Sequence, residues 1–417
     1  MTPRFAVLIL SLVLLACEQQ PERITLTFSG AATGSDLDFT VAGTQRFMER
    51  HPDIRVVVVP TPRSNAERFE YYRRTLERHS DEIDVLQIDV VWIGMVTDHA
   101  VDLRQYIVPE RIVRHFPSII ENNTIDGRLV AMPWFADAPS LFYRKDLLAK
   151  YGYDGPPATW DELEAMAERI QDGERRAGNL GFWGYLWQGR AYEGLTCNAL
   201  EWQYSHGGGN FLEGGRPNLA RAETARAFEM AKGWVENISP PEVVEFDEED
   251  SRQIWHKGDA AFLRNWSYVY SLTQATAMGR QFDVAPVPAG PGGHYGTLGG
   301  WQLMVSRYSR NARAAAALVD YLTGMGEQKI RAVEGSYNPT ISSLYADQEV
   351  LEAVPFFEGF EEVYRSLVVR PSTSAGEKYD EISVAYSRAA NDVVSGRRPA
   401  SERLAEAERE IAEILAR

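Results

Sequence analysis

From residue 24 onward, short apolar runs alternate with amphipathic segments of helical period, and nothing else in the chain narrows its fold as much. Residues 24–28, 54–59 and 83–88 read as strands, and 36–49 and 66–79 between them read as helices. Parallel strands need a long crossover, usually a helix, so this alternation predicts a largely parallel sheet with helices on both faces. Thr159 and Glu162 have the spacing of a capping box, and Leu163, Met166, Ala167 and Ile170 then share one helical face. A second set follows, with a strand at 181–187, helices at 192–205 and 221–235, and strands at 260–263, 283–287 and 302–305. The fold class expected is α/β.

The 417 residues exceed what one hydrophobic core usually serves, so two lobes are expected. The chain is predicted to leave the first lobe near 137–143, build the second, and return near Phe282. This divides it into a leader (1–17), the first part of lobe 1 (18–137), a stretch mainly in lobe 2 (138–281), a return to lobe 1 with the hinge (282–340), and C-terminal helical segments of mixed lobes (341–417). Several crossings make a hinge on which two rigid bodies can close over a small molecule. Pro286, Pro288 and the Gly-rich 289–296 read as a turn, since neither a Lys-Ser or Lys-Thr pair nor a helix start follows to make a phosphate loop. The last helix, 401–417, carries ordinary solvated-face charge and is assigned no function.

The leader places Arg4 before an apolar run from Phe5 to Ala16, and Cys17 follows. A basic start, a short apolar stretch and a small residue at the cut define a secretory signal, too short for a comfortable membrane span. Leu14-Leu15-Ala16-Cys17 resembles the lipobox of bacterial lipoproteins, whose Cys becomes the lipid-bearing first residue of the mature chain. An ordinary signal peptide containing a Cys is the other reading. Cys197 then remains as a single thiol, expected to be a buried small hydrophobe.

The formal charge is −16 at pH 7, and it grows more negative when 1–17, with Arg4 and no acid, is removed. Such a field repels nucleic acid and anionic lipid surfaces, so a neutral or cationic ligand fits better. The seven His form no zinc-ligand spacing and no Gly-x-Ser-x-Gly elbow occurs, so no metal, cofactor or catalytic nucleophile is expected.

The chain holds 10 Trp and 19 Tyr, several of them where its direction changes. Trp266 and Tyr268 follow a strand, and Trp301 follows Gly299-Gly300. Aromatic faces pack on the C–H faces of pyranose rings, so aromatics at strand ends suit a sugar cleft; core packing is the plain alternative for each. Asp89 and Asp137 close strand-like runs, where ligands gather in open α/β sheets and carboxylates can accept from vicinal hydroxyls. Asp89 could equally cap a helix. Ser64 and Arg68 are one helical turn apart and could face one cleft, with a surface ion pair as the other reading of Arg68. Arg370, in a loop before Pro371, could also project into a site.

With these residues in view, the chain resembles the extracytoplasmic sugar-binding lipoproteins of ABC importers, bacterial extracellular solute-binding protein family 1, and within it the trehalose/maltose-binding branch. The likeness runs through 84–94, 143–148, Trp187-Gln188-Gly189-Arg190-Ala191-Tyr192-Glu193-Gly194-Leu195, Arg264-Asn265-Trp266, Leu298-Gly299-Gly300-Trp301 and Asn338-Pro339-Thr340. It implies a two-lobed, periplasmic-binding-protein-like fold, each lobe a sheet flanked by helices, with the ligand cleft and a multi-strand hinge between them. It implies binding without catalysis. The implied partners are a neutral sugar and two permease subunits with their ATPase. A lipid on Cys17 would hold the protein, a monomer, on the extracytoplasmic side of a bacterial membrane.

Carried over by position, the implied ligand set is Ser64, Arg68, Asp89, Asp137, Trp266, Tyr268, Gly300, Trp301 and Arg370. Asp36 stands where the family pattern has Glu, and Phe135 where it has Tyr. A shorter acid and a lost hydroxyl change which ligand hydroxyls are paired, and the 372–378 loop also differs. The expected ligand is therefore an α-linked disaccharide or glucoside of the trehalose, maltose, sucrose or glucosylglycerol kind. A secreted glycoside hydrolase using Asp89 and Asp137, and a sugar-sensing lipoprotein, are the alternative readings.

Overall fold

The computed structural model describes residues 23–30, 34–62, 65–358 and 360–417, so the leader with Cys17, and Ser64, lie outside the described residues. Strands β1 (Ile24–Ser29), β2 (Ile54–Val59), β3 (Val85–Asp89) and β4 (Met132–Asp137) belong to one sheet. Strands β5 (Pro139–Arg144), β6 (Trp183–Leu186), β7 (Ala260–Trp266) and β8 (Phe282–Pro286) make another, ordered β8-β5-β7-β6. A late strand, β9 (Gly299–Val305), completes the first sheet in the order β2-β1-β3-β9-β4.

The helices α1 (Gly34–Arg50) and α2 (Asn65–Glu77) are the crossovers that let β1 pair in parallel with β2 and β3. All five residues of β3 are buried, which its apolar run requires and which leaves Gln87 and Asp89 in the interior. The first sheet is not parallel throughout, because β9 lies antiparallel between β3 and β4. It arrives from the other lobe at the sheet end where β3 and β4 leave, so it must run the opposite way.

The second lobe includes α3 (Trp160–Arg176), α4 (Glu193–Ser205), α5 (Ala222–Trp234) and α6 (Glu248–His256). Thr159 caps α3 by accepting from the Glu162 N–H at 3.2 Å, while the Glu162 carboxylate accepts from Ala158 N–H at 2.7 Å rather than from Thr159. The return to lobe 1 comes later than Phe282. Strand β8 pairs antiparallel with β5, and the Phe282 ring packs in the second-lobe core beside Phe142 and Trp255. An alternating strand reads alike in either sheet, so its period does not say which lobe holds it.

After β9, α7 (Ala312–Leu322) packs beside α1, and α8 (Met325–Gly335) follows. Asn338 then bridges Ala136 of β4, and Leu344, Val350 and Phe357 enter the second-lobe core. The last helices, α9 (Tyr379–Val394) and α10 (Ala400–Ala416), pack on each other and on α5, with α9 also on α4. One face of α10 is buried through Leu404, Ala407, Ile411 and Ile414, so it is a structural wall of the second lobe. No described helix is long and apolar enough to cross a membrane.

Candidate functional site

Strand β9 organises the site. Its register sets Trp301 opposite Asp89 on one side and Phe135 on the other, Gly300 opposite Ala136, and Gly299 opposite Asp137. Gly300 has φ +123°, and a Cβ there would come within 2.5 Å of the Phe135 carbonyl oxygen. Only glycine lets the strands approach this closely. The Gly300 carbonyl accepts from Val90 N–H at 3.1 Å, which ties the turn after β3 to the start of β9.

Trp301 is clasped by two side chains. The Arg68 guanidinium of α2 lies 4.4 Å from its ring centroid, and Trp92 meets it edge-on at 5.8 Å. Arg68 is 4% exposed, so the surface ion pair is excluded. Burial pulls its pKa below the ordinary arginine value, against the fields of Tyr72, Asp36 and Asp89. Its Nη1 has no hydrogen-bond partner among the described residues.

Three carboxylates converge beside this pair. Asp36 accepts from Arg331 Nη2 at 2.7 Å and from Gln87 Nε2 at 3.2 Å. Asp89 Oδ1 accepts from Val91 N–H at 3.1 Å and Arg370 Nη2 at 3.3 Å, and its Oδ2 from Asn65 Nδ2 at 2.9 Å. The Val91 bond is an Asx-type turn, and the helix-capping position is Trp92, so Asp89 is not the cap. Burial, reinforced by Asp36 and Asp89, pushes the Asp137 carboxyl up to about 8, and its Oδ1 is covered without a partner among the described residues.

Trp266 and Tyr268 come from the end of β7 in the other lobe. The Trp266 Nε1–H donates to Glu248 Oε1 at 3.2 Å, and the Arg264 guanidinium lies 4.0 Å from its ring centroid. Tyr268 donates its hydroxyl to Glu249 Oε1 at 2.8 Å. A Cβ on Gly299 would sit 3.1 Å from Asp137 Cβ and 3.3 Å from the Trp266 ring, so the two lobes meet there.

Arg370 reaches Asp89 from its late loop. It is 3% exposed, and its fork is taken up by Glu193 Oε1 at 2.6 Å, Asp89 Oδ1 at 3.3 Å and the Leu298 carbonyl at 3.3 Å. Phe135 packs edge-on against Tyr337 at 4.8 Å, with the Arg331 guanidinium 4.8 Å from its ring. Thus Asp36, Arg68, Asp89, Phe135, Asp137, Gly300 and Trp301 gather at one end of the first sheet, and Trp266 and Tyr268 meet them from the second.

Sequence reading passed over Gln87, Glu193, Glu248 and Arg331. Gln87 carried a signal, as an amide inside an apolar strand, and Glu193 lies in the 187–195 segment. Arg331 carried none. Among the described residues no group of His, Cys, Asp and Glu could hold a metal ion. Cys197 is buried, and burial pushes its thiol up to about 12.

The sequence pattern of the bacterial extracellular solute-binding protein family matches residues 33–329. The chain belongs to this family. It is a family of extracytoplasmic binding proteins rather than enzymes, and this solute-binding protein has the two-lobed α/β fold expected. It is 42% identical over 418 residues to a probable ABC transporter-binding protein of Deinococcus radiodurans, covering 99% of each chain. Its structure is similar to that of maltose-bound MalE3 of T. maritima, with a TM-score of 0.88 and 32% identity over 94% of this chain and 100% of that one. The GacH receptor of Streptomyces glaucescens, with acarbose among its complexes, shares the fold at a TM-score of 0.80 and 23% identity over 94% of this chain and 99% of that one.

Proposed function

We propose that this solute-binding protein captures an α-linked disaccharide or glucoside, of the maltose, trehalose, sucrose or glucosylglycerol kind, and delivers it to the permease subunits of an ABC importer. The observation that carries this reading is the pairing of aromatic plates, Trp301 from the first lobe and Trp266 from the second, around Asp36, Asp89 and Asp137. A pyranose presents apolar C–H faces and a rim of hydroxyls together, and such a cleft matches both. The likeness to maltose-bound MalE3 supports the same class.

In this reading Arg68, Asp36, Asp89, Phe135, Asp137, Trp266, Tyr268, Gly300 and Trp301 line the ligand, together with Ser64. Arg370 serves it indirectly, by holding Asp89. Closure about the crossings then brings the Trp266 plate towards Trp301. Calorimetric titration of the purified protein against maltose, trehalose, sucrose and glucosylglycerol tests the reading. Saturable binding of at least one, with the sugar recovered intact, is expected; no binding to any neutral saccharide would sink it, and recovered monosaccharides would favour a hydrolase.

The proposal extends to the leader, where Cys17 is read as a lipid anchor on a monomeric receptor. Tethering raises the receptor's effective concentration at the permease. Cys17→Ser is expected to release the protein from the membrane fraction with its sugar affinity unchanged, and continued membrane association would rule the anchor out.

A further inference from the structure

One face of Trp266 is already occupied. Arg264 and Trp266 stand two positions apart on β7, so their side chains leave the same side of the sheet, and the guanidinium lies flat enough to bring Cζ within 4.0 Å of the ring centroid. Arg264 is itself wholly covered. Its Nε donates to Glu201 Oε2 at 3.1 Å, its Nη2 donates to the other Glu201 oxygen, and its Nη1 donates to Gln188 Oε1 at 3.2 Å.

The partners are fixed in turn. Asn198 Nδ2 donates to the same Gln188 oxygen at 3.2 Å, and Gln188 Nε2 donates to the Arg264 carbonyl at 2.9 Å and to Ser251 Oγ at 3.0 Å. Glu201, Gln188 and Asn198 are all 0% exposed. Within its own plane the indole is held by Glu248, which also accepts from the Tyr192 hydroxyl at 2.6 Å. The ring can therefore neither tilt into the space of Arg264 nor slide past Glu248.

We propose that Glu201 and Arg264 form a buried pedestal that sets the height and tilt of Trp266, making Glu201 a positioning residue for ligand stacking although it does not reach the cleft. This rests on the reading of the cleft as a sugar site. Burying two charges is a poor source of net stability, since well-packed apolar residues of similar volume often serve as well. What the pair supplies is direction: a bidentate carboxylate holds a guanidinium in one plane, and a planar cation stacks on an aromatic face. With Arg264 on one face, only the other is left for a pyranose.

Three proteins decide the matter: the parent, Arg264→Lys, and the charge-free pair Glu201→Leu with Arg264→Met. Each is titrated calorimetrically with maltose and trehalose, melted thermally, and read by tryptophan fluorescence with and without saturating sugar. The double variant is expected to stay folded with a melting temperature near the parent's, to bind at least tenfold more weakly, and to lose most of the sugar-induced fluorescence change. Arg264→Lys keeps the charge without the plane and is expected to weaken binding similarly, which keeps the test open if the double variant fails to fold. Folded variants that bind within twofold of the parent, with the same fluorescence change, would overturn the pedestal. A parent that binds neither these sugars nor the rest of the panel overturns the sugar reading itself, and the pedestal with it.

Discussion

Asp89 of the first lobe and Glu193 of the second share one guanidinium, that of Arg370, at 3.3 and 2.6 Å. Asp89 is 6% exposed, and burial, with Glu193 adding to it, raises its pKa while Arg370 opposes the rise. Glu193 also accepts from the Tyr379 hydroxyl at 2.5 Å and from Ser383 Oγ. The bridge thus ties the end of β3 to the start of α4 and to α9.

Removing the shared cation leaves the buried Asp89 and the partly exposed Glu193 without their common counter-ion. Breaking a buried pair in this way typically costs about 3–5 kcal/mol. Arg370→Met is expected to lose stability of that order in urea unfolding, and Arg370→Lys less. A loss below about 1 kcal/mol, the worth of an exposed pair, would show that the bridge does not brace the lobes.

Arg68 and Trp301 form a stacked pair in a desolvated setting. Such a contact is worth up to about 2 kcal/mol, and a tenfold change in affinity corresponds to about 1.4 kcal/mol. Arg68→Met, which keeps the stem, is expected to weaken sugar binding about tenfold by calorimetry. Unchanged affinity would remove Arg68 from the site.

Gly300 at φ +123° has a backbone oxygen 2.5 Å from where a Cβ would lie, whereas Gly326 on α8 has nothing within 4 Å. Strained backbone of this kind costs about 1–3 kcal/mol for a residue with a side chain, and the clash adds to it. Gly300→Ala is expected to lower the melting temperature clearly. Gly326→Ala, relieving helix entropy worth about 0.5–1 kcal/mol, is expected to hold or raise it.

Asp137 gives the unliganded protein a pH dependence of defined sign. Its folded pKa of about 8 lies above the ordinary carboxyl value of about 3.9, so the folded state keeps a proton that the unfolded state has lost. The stabilisation is full below about pH 4, falls as pH rises, and is gone above about pH 8. Asp137→Asn is expected to flatten this decline in melting temperature between pH 5 and 8. The same slope in the variant would place the titration elsewhere.

Period and composition revealed most strands and helices of the first lobe because β1 alternates apolar and polar residues, β2 and β3 are mostly apolar, and helices of regular period separate them. The aromatic and acidic residues of the cleft were legible because they interrupt such runs at strand ends. What stayed hidden is what long-range contact alone decides. Asp36 and Arg331 lie 295 positions apart, and neither neighbourhood announces the other. The direction of β9 and the lobe of β8 were hidden for the same reason, since each depends on where the chain comes from rather than on its local pattern.

The wall that α9 and α10 build against α4 and α5 bears on how the molecule is made. Those helices lie far along the chain from α4 and α5, so the faces that meet are brought together only across a long intervening stretch. Contacts between such distant segments form slowly, because loop closure comes before any reward. The second lobe is therefore closed by its most distant contacts, and the seam of α9 and α10 on α4 and α5 is expected among the later parts of the fold to form.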